Sequence, residues 1–337
     1  MNYEAILNQN KNDFNYFNFC KIYYKYEDKK IKDMQKEKIK KIFPFWNNPN
    51  PKDKKYKNVS LKDFSLTWLK NQQREISIDL SNIKNISNID LETYTKTLIP
   101  NSFALQVDFT LKSPYYSSDD DEFYIINNPC LKEKVFKVPM VRGSSIKGAL
   151  IDSAREIIKN KSANSDKVKA LESYFRIFGV GDNEFREVVK ELNDNNIKLF
   201  FMLNGLAIDV NSDVKNIFKK YKESKAQKGR AIFYPIYFDK LSLEIINPHN
   251  RKTKAGTNPI HYEVVPKGSN SQLQIVYIPY DGILGKDSDI QKEAKQDLKF
   301  LKKCIQKAFY NGIGAKTKLG WGKANINGNI RKFWSKR

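Results

Sequence analysis

The clearest pattern in the chain is an alternation. In FALQVDFTLKS, residues 103–113, Phe103, Leu105, Val107, Phe109 and Leu111 share one face, which predicts a half-buried strand. After Gly143 the period changes. Ile146, Ala149, Leu150, Ala154, Ile157 and Ile158 recur at three- and four-residue steps, which predicts an amphipathic helix. Two shorter helical pieces follow, at about 166–177 and 184–194. Then come apolar runs with strand character: KLFFML (198–203), AIFYPIYF (231–238), LSLEII (241–246), HYEVV (261–265) and LQIVYIP (273–279). A second long helix is predicted over about 288–310. Its stripe runs from Ile290 through Leu298 and Leu301 to Phe309, and its opposite face is rich in lysine. A glycine loop and a short strand near 321–327 follow.

This order of elements predicts an α+β fold. Its core is a ferredoxin- or RRM-like antiparallel sheet with helices on one face, elaborated by insertions. Residues 1–98 differ in character, being rich in Lys, Asn and Tyr. There KKIKDMQKEKIKKIF (29–43) has only a partial helical stripe, and NNPNPKDKKYKN (47–58) reads as a loop. The expected organisation is a basic, partly helical extension over 1–98 and one domain over 99–337.

Charge changes the picture most. Lysine and arginine number 60 against 38 acidic residues in 337, a formal net charge of +22. That excess points to a polyanion, either nucleic acid or an anionic membrane surface. A compositional bias toward Lys, Asn, Ile and Tyr accounts for part of the lysine content, but not for its excess over Asp and Glu. No apolar run approaches the ~20 residues of a membrane span, and no signal-peptide pattern is present. A cytoplasmic protein without a membrane partner is expected. Cys20, Cys130 and Cys304 lie far apart and, with only His249 and His261, form no credible zinc set. They fit a reducing compartment.

Three stretches carry candidate chemistry. The first, VPMVRGSSIKGAL (138–150), reads as strand, turn and helix. Ser144 is the expected N-cap. Arg142 and Lys147 sit at the positive end of the helix dipole, where cations are unfavourable. A phosphate held by Arg142, Ser144, Ser145, Lys147 and the N–H groups of residues 144–146 resolves that conflict. Gly143 and Gly148 permit close approach. An ordinary capped helix start is the competing reading.

The second is NGIGAKTKLGWGKANI (311–326), in which Gly312, Gly314, Gly320 and Gly322 alternate with Lys316, Lys318, Lys323 and Trp321. It matches neither a Walker A loop nor GxGxxG. It suits a sugar–phosphate backbone with a base stacked on Trp321. The competing reading is a plain connector with Gly312 as a helix C-cap, but the density of glycine and lysine favours RNA contact.

The third, spanning 247–269, flanks a basic hairpin-like loop carrying Arg251, Lys252 and Lys254. Its alternatives are a clamp on nucleic acid and solvated loop charge. His249 and His261 lack an evident partner for acid–base work. The acidic run Asp119, Asp120, Asp121 and Glu122 is either a Mg²⁺ site for RNA cleavage or, as is commoner, a solvated loop or a contact for a basic neighbouring subunit.

Three pieces in this order resemble the RAMP superfamily of type III CRISPR effector complexes. VPMVRGSSIKGAL is similar to that family's Gly-Ser-Ser-Lys-Gly helix start. YFRIFG (174–179), followed by GRAIFYPIYFD (229–239), is similar to its internal signatures, and GIGAKTKLGWG (312–322) to its C-terminal glycine-rich loop. The resemblance covers roughly residues 103–327. The 247–269 segment looks most like the sixth subunits of Cmr (type III-B) complexes.

The resemblance implies an RRM-like core that binds CRISPR guide RNA, target RNA or their duplex beside other effector subunits. Slicing relatives carry an aspartate in a loop before the glycine–serine motif. Asn127 of INNP stands at that place here, and an amide supplies neither base nor carboxylate ligand. The resemblance therefore implies a non-cleaving subunit with no cofactor. The alternatives are a Mg²⁺-dependent endoribonuclease acting through Asp119, Asp120 and Asp121, and a structural protein of a ribonucleoprotein or membrane surface.

Overall fold

The structure, a computed structural model, describes residues 76–78, 80, 90–120, 128–181, 183–222, 226–249, 252, 254–256, 259–282 and 286–335. The helix and loop expected at 29–43 and 47–58 lie outside these residues, as do Asp121, Glu122, Asn127 and Arg251. In chain order the elements are β1 (Ile76–Ser77), α1 (Leu91–Lys96), β2 (Phe103–Leu111), β3 (Met140–Val141), α2 (Gly143–Lys159) and α3 (Asn164–Phe178). Next come β4 (Gly179–Val180), α4 (Asn183–Lys190), α5 (Asp194–Leu203), α6 (Ser212–Lys219), β5 (Gln227–Lys228), β6 (Ala231–Phe233) and β7 (Ile236–Tyr237). The last are β8 (Lys240–Ile246), β9 (Ile260–Val264), β10 (Asn270–Tyr277), α7 (Asp287–Asn311), β11 (Ala324–Ile326) and β12 (Arg331–Trp334). None of the described helices is long and apolar enough to cross a membrane.

The fold is α+β, and the chain divides into two compact units. One takes residues 83–115, 140–237 and 267–337. Its antiparallel sheet is built around β2. On one side β10 pairs with β2 from Phe103↔Tyr277 to Thr110↔Asn270. On the other, β11 and β12 pair with its two ends, and β6 adds to β10. The period-two pattern decides which face is dry. Phe103, Leu105, Val107, Phe109 and Leu111 are all buried, and Phe109 meets Phe309 of α7 at 4.7 Å between rings. Helices α2, α3 and α7 pack on one another over this face.

The short α1 covers one end of the opposite face, where Leu91 packs with Ala104, Val276 and Ile278. Farther along that face Asp108 holds the Arg331 guanidinium and the Gln272 amide, at 2.6 and 2.7 Å.

Between α3 and β5 the helices α4, α5 and α6 gather aromatic rings. Phe185, Phe200 and Phe218 stand 5.6, 6.1 and 5.7 Å from the ring of Phe175. Here the structure corrects the sequence reading, because KLFFML is the end of helix α5, not a strand. Asn193 caps α5 by accepting from the Asn196 N–H at 2.8 Å. Ile197, Phe200 and Phe201 are buried at helical spacing, while Leu199, Met202 and Leu203 face outward. A short apolar run fits either element, and the upstream cap with the aromatic cluster decides it. AIFYPIYF also divides, into β6 on β10 and β7 on β3.

The second unit contains residues 116–139 and 238–266 together with β1. It carries a three-stranded antiparallel sheet in the order β1–β8–β9. Tyr116 packs edge-on against Tyr262 at 5.0 Å.

Candidate nucleic-acid interface

Helix α2 starts two residues earlier than the sequence reading placed it. Gly143 is its first residue and Arg142 occupies the N-cap, with extended backbone and no side-chain cap bond. Ser144 is therefore a helical residue and not the cap. The chain turns where Gly143 runs against the backbone of Phe233, leaving no room for a side chain. Within the first turn the N–H groups of Ser145 and Ile146 both donate to the Arg142 carbonyl, at 2.9 and 3.1 Å. The N–H of Ser144 has no partner among the described residues. Arg142, Ser144 and Ser145 are exposed. No acidic residue lies in this turn.

Lys147 is half-buried, and burial alone holds its pKa below the ordinary lysine value. It makes no ion pair among the described residues. Gly148, one step on, has nothing within 4 Å of where a side chain would point.

The glycine loop is compact. Gly312 ends α7 with φ +103°, so its predicted C-cap role holds. The N–H of Ile313 donates to the Gly322 carbonyl at 3.0 Å and closes the loop. A Cβ on Gly322 would lie 1.9 Å from the Ile313 carbonyl oxygen, so only glycine fits. Gly314 and Gly320 both have positive φ. Lys316 and Lys318 point outward, and Trp321 is half-buried.

Two hydrogen bonds tie this loop and the start of α2 to adjacent residues. The Gly322 N–H donates to Pro114 O at 2.7 Å, and the Tyr115 hydroxyl donates to Met140 O at 3.3 Å.

Sequence reasoning missed Tyr310. It is 72% exposed on the last turn of α7, with the ammonium groups of Lys307 and Lys323 5.5 and 5.9 Å from its ring centre. Lys307 is held by Glu156 at 2.7 Å, so the ring can stack on a base while Lys323 neutralises its phosphate. The available signal was its position, one step after the apolar stripe ends at Phe309.

The YFRIFG and GRAIFY motifs are structural. The N–H of Arg230 donates to Arg176 O at 2.8 Å. The Arg176 guanidinium grips buried Asp297 at 2.9 and 2.6 Å. Tyr277 also donates to Asp297, at 2.7 Å. Burial, then this carboxylate, pushes the Tyr277 pKa up, so the phenol stays a donor. Arg230 reaches Asp281 and Glu293 at 2.6 and 2.8 Å. A cavity of about 770 Å³ opens beside these groups. Both of its arginines are already paired and Lys220 is held by Glu172, which leaves Lys228, over the Tyr280 ring, as its one lysine without an ion pair among the described residues.

In the second unit, Lys252 and Lys254 are exposed on the loop between β8 and β9, whose base is bridged by His249 and Gly256. His249 is exposed at that bridge, and His261 lies on β9. The Asp119 carboxylate accepts from the Lys132 N–H at 3.2 Å, while Asp120 is exposed. No group of three or more His, Cys, Asp or Glu residues that could hold a metal occurs among the described residues.

After residues 121–127 the chain is pinned to β9. Lys132 and Glu263 form a fully buried ion pair. Glu263 also accepts from the Cys130 N–H at 2.9 Å, and Lys132 donates to Cys130 O at 3.0 Å. Burial pushes the Cys130 thiol up to about 12, which leaves it unreactive.

Fold and site together define a ferredoxin-like α+β protein with a basic helix start and a basic glycine loop on one unit. The sequence model of the RAMP superfamily matches residues 108–325, a span holding all three motifs, and the chain belongs to that superfamily. Among solved structures, a chain of the type III-B Cmr-beta complex bound to cognate target RNA is similar in fold, with a TM-score of 0.51 at 12% identity over 98% of each chain. Cmr6 from Pyrococcus furiosus matches with a TM-score of 0.33 at 17% identity, over 67% of this chain and 99% of its own. No curated protein matches the chain.

Proposed function

We propose that this chain is an RNA-binding, non-cleaving subunit of a type III CRISPR ribonucleoprotein effector, where it holds guide RNA, the guide–target duplex or both. The observation that carries the reading is Lys147: a half-buried ammonium without an ion-pair partner among the described residues, in a helix turn that has no carboxylate. Burying a charge is unfavourable unless a counter-charge arrives. A phosphate gripped by Lys147, Arg142, the two serine hydroxyls and the Ser144 N–H supplies one. The basic glycine loop, with Lys316, Lys318, Tyr310 and Trp321, extends the track; on the second unit, Lys252 and Lys254 offer cationic contacts of their own. Superfamily membership supports the assembly, and the similar fold found in an RNA-bound type III-B complex supports the ligand.

Non-cleavage rests on Asn127 at the place of the slicing aspartate. The engagement of Asp119 with the backbone of Lys132 also disfavours a metal role for the acidic run.

The test is to purify the assembly from its native host through a tag on this chain and to sequence the RNA it carries. The reading predicts short RNAs of uniform length sharing a repeat-derived tag. RNA of no defined size would sink the guide-complex reading. Cutting of a complementary strand by wild type, lost on alanine substitution of Asp119, Asp120 and Asp121, would make the chain a nuclease.

A further inference from the structure

The lysine-rich face of α7 is one wall of a groove. α7 contributes Lys292, Lys295, Lys299 and Lys303, and the opposite wall carries Lys161, just beyond α2, and Lys169 of α3. The groove measures about 530 Å³ and contains one carboxylate, Asp166. Steps of three and four residues keep the α7 lysines on a single stripe. Lys292 lies 3.8 Å from Asp289, and Lys295 donates weakly to Gln291 at 3.4 Å. Lys161, Lys169, Lys299 and Lys303 form no ion pair among the described residues.

Like charges at four-residue steps repel one another on a helix. A concave surface with low-dielectric walls focuses their field instead of dispersing it into water. This groove is also distinct from the start of α2. Ile157, which lines it, is about 15 Å from Lys147 at the helical rise.

We propose that this groove is a second nucleic-acid site, which takes the sugar–phosphate backbone of a single strand irrespective of base sequence. All six cations are lysines, point charges that bind phosphate without the planar fork of arginine. Nothing in the groove is placed to read bases. Phe300 is buried, and the Gln296 amide is already bonded to Lys169 O at 2.8 Å. Lys295, Lys299 and Lys303 rise about 6 Å per step along α7, in scale with successive phosphates on a strand. The proposal shares with the function above only the choice of RNA as polyanion. The competing occupant is an acidic protein segment.

The test uses the full chain and a fluorescein-labelled uridine oligomer, titrated over a series of salt concentrations. Four proteins are compared: wild type, Lys295→Gln/Lys299→Gln/Lys303→Gln, Lys161→Gln/Lys169→Gln, and Arg142→Ala/Lys147→Ala. Losing three phosphate contacts lowers the magnitude of the salt slope by about 2, at roughly 0.7 per contact. Lys161→Gln/Lys169→Gln, on the opposite wall, lowers it by about 1.4. These side chains are solvent-facing or half-exposed, so an unchanged melting temperature verifies folding.

A wild-type slope in both groove variants overturns the proposal. If the α2 variant alone is impaired, the proposed function stands and the groove falls. If the groove variants alone are impaired, the groove stands and the α2 site falls. Wild type that ignores RNA at low salt, or groove variants that lose only a polyglutamate probe, overturn the nucleic-acid assignment.

Discussion

A methyl group on Gly143 would lie 2.1 Å from the carbonyl oxygen of Phe233. The first glycine of the motif therefore seats α2 against β6 and fixes where the basic helix start projects. Gly148 has the opposite environment, with nothing within 4 Å and a place on the exposed face of α2. Gly143→Ala is expected to destabilise the protein by about 1–3 kcal/mol through overpacking. Gly148→Ala is expected to stabilise the free protein by about 0.5–1 kcal/mol yet weaken RNA binding, because a methyl now stands where the strand approaches. Denaturant unfolding and RNA titration of both variants check this pair.

The Arg176–Asp297 pair joins α3 to α7 beneath the sheet. Asp297→Ala leaves a buried guanidinium without its bidentate partner and removes the acceptor of Tyr277. A loss of about 3–5 kcal/mol is expected, read by chemical denaturation. RNA affinity per folded molecule should stay at the wild-type value, since neither residue lies at the proposed interface.

The burial of Lys147 gives a pH signature. Its pKa in the free folded protein lies below the ordinary value, and a bound phosphate favours the ammonium and raises it. Affinity is then flat below the free-state pKa and falls as pH climbs through the window between the free and bound values. Lys147→Arg stays charged throughout and removes that fall. Titrations from neutral to alkaline pH decide it, and superimposable profiles for the two proteins would count against phosphate at Lys147.

Tyr310 tests the glycine-loop end of the track. Its ring is exposed between Lys307 and Lys323. Tyr310→Ala should weaken single-stranded RNA binding by about 1–3 kcal/mol if a base stacks there, while Tyr310→Phe should retain affinity. Equilibrium fluorescence titration separates the two.

Periodic elements were legible in the sequence because burial wrote them directly. The alternation of β2 and the stripe of α7 both marked core faces that the structure buries. KLFFML was not legible, since a run too short to show a period takes its form from Asn193 upstream and from phenylalanines distant in sequence. The cap was misplaced at Ser144 because residue preference favours a serine there, whereas the helix already begins at Gly143, seated against Phe233 of a strand far along the chain. At the site, charge and glycine content pointed to the start of α2 and the glycine loop. Tyr310 escaped notice because its importance lies in exposure and in two lysines that only folding brings to it. The groove escaped notice because Lys161 and Lys169 meet the α7 stripe only through helix packing.

The most direct measurement of the central claim is the RNA affinity of Arg142→Ala/Lys147→Ala against wild type over a salt series, with thermal unfolding as a control for folding. The account predicts an unchanged melting temperature, an affinity lowered by at least about tenfold, and a salt slope smaller by about 1.4 for two lost phosphate contacts. Equal affinities and equal slopes in two folded proteins would contradict it and remove the start of α2 from the RNA interface.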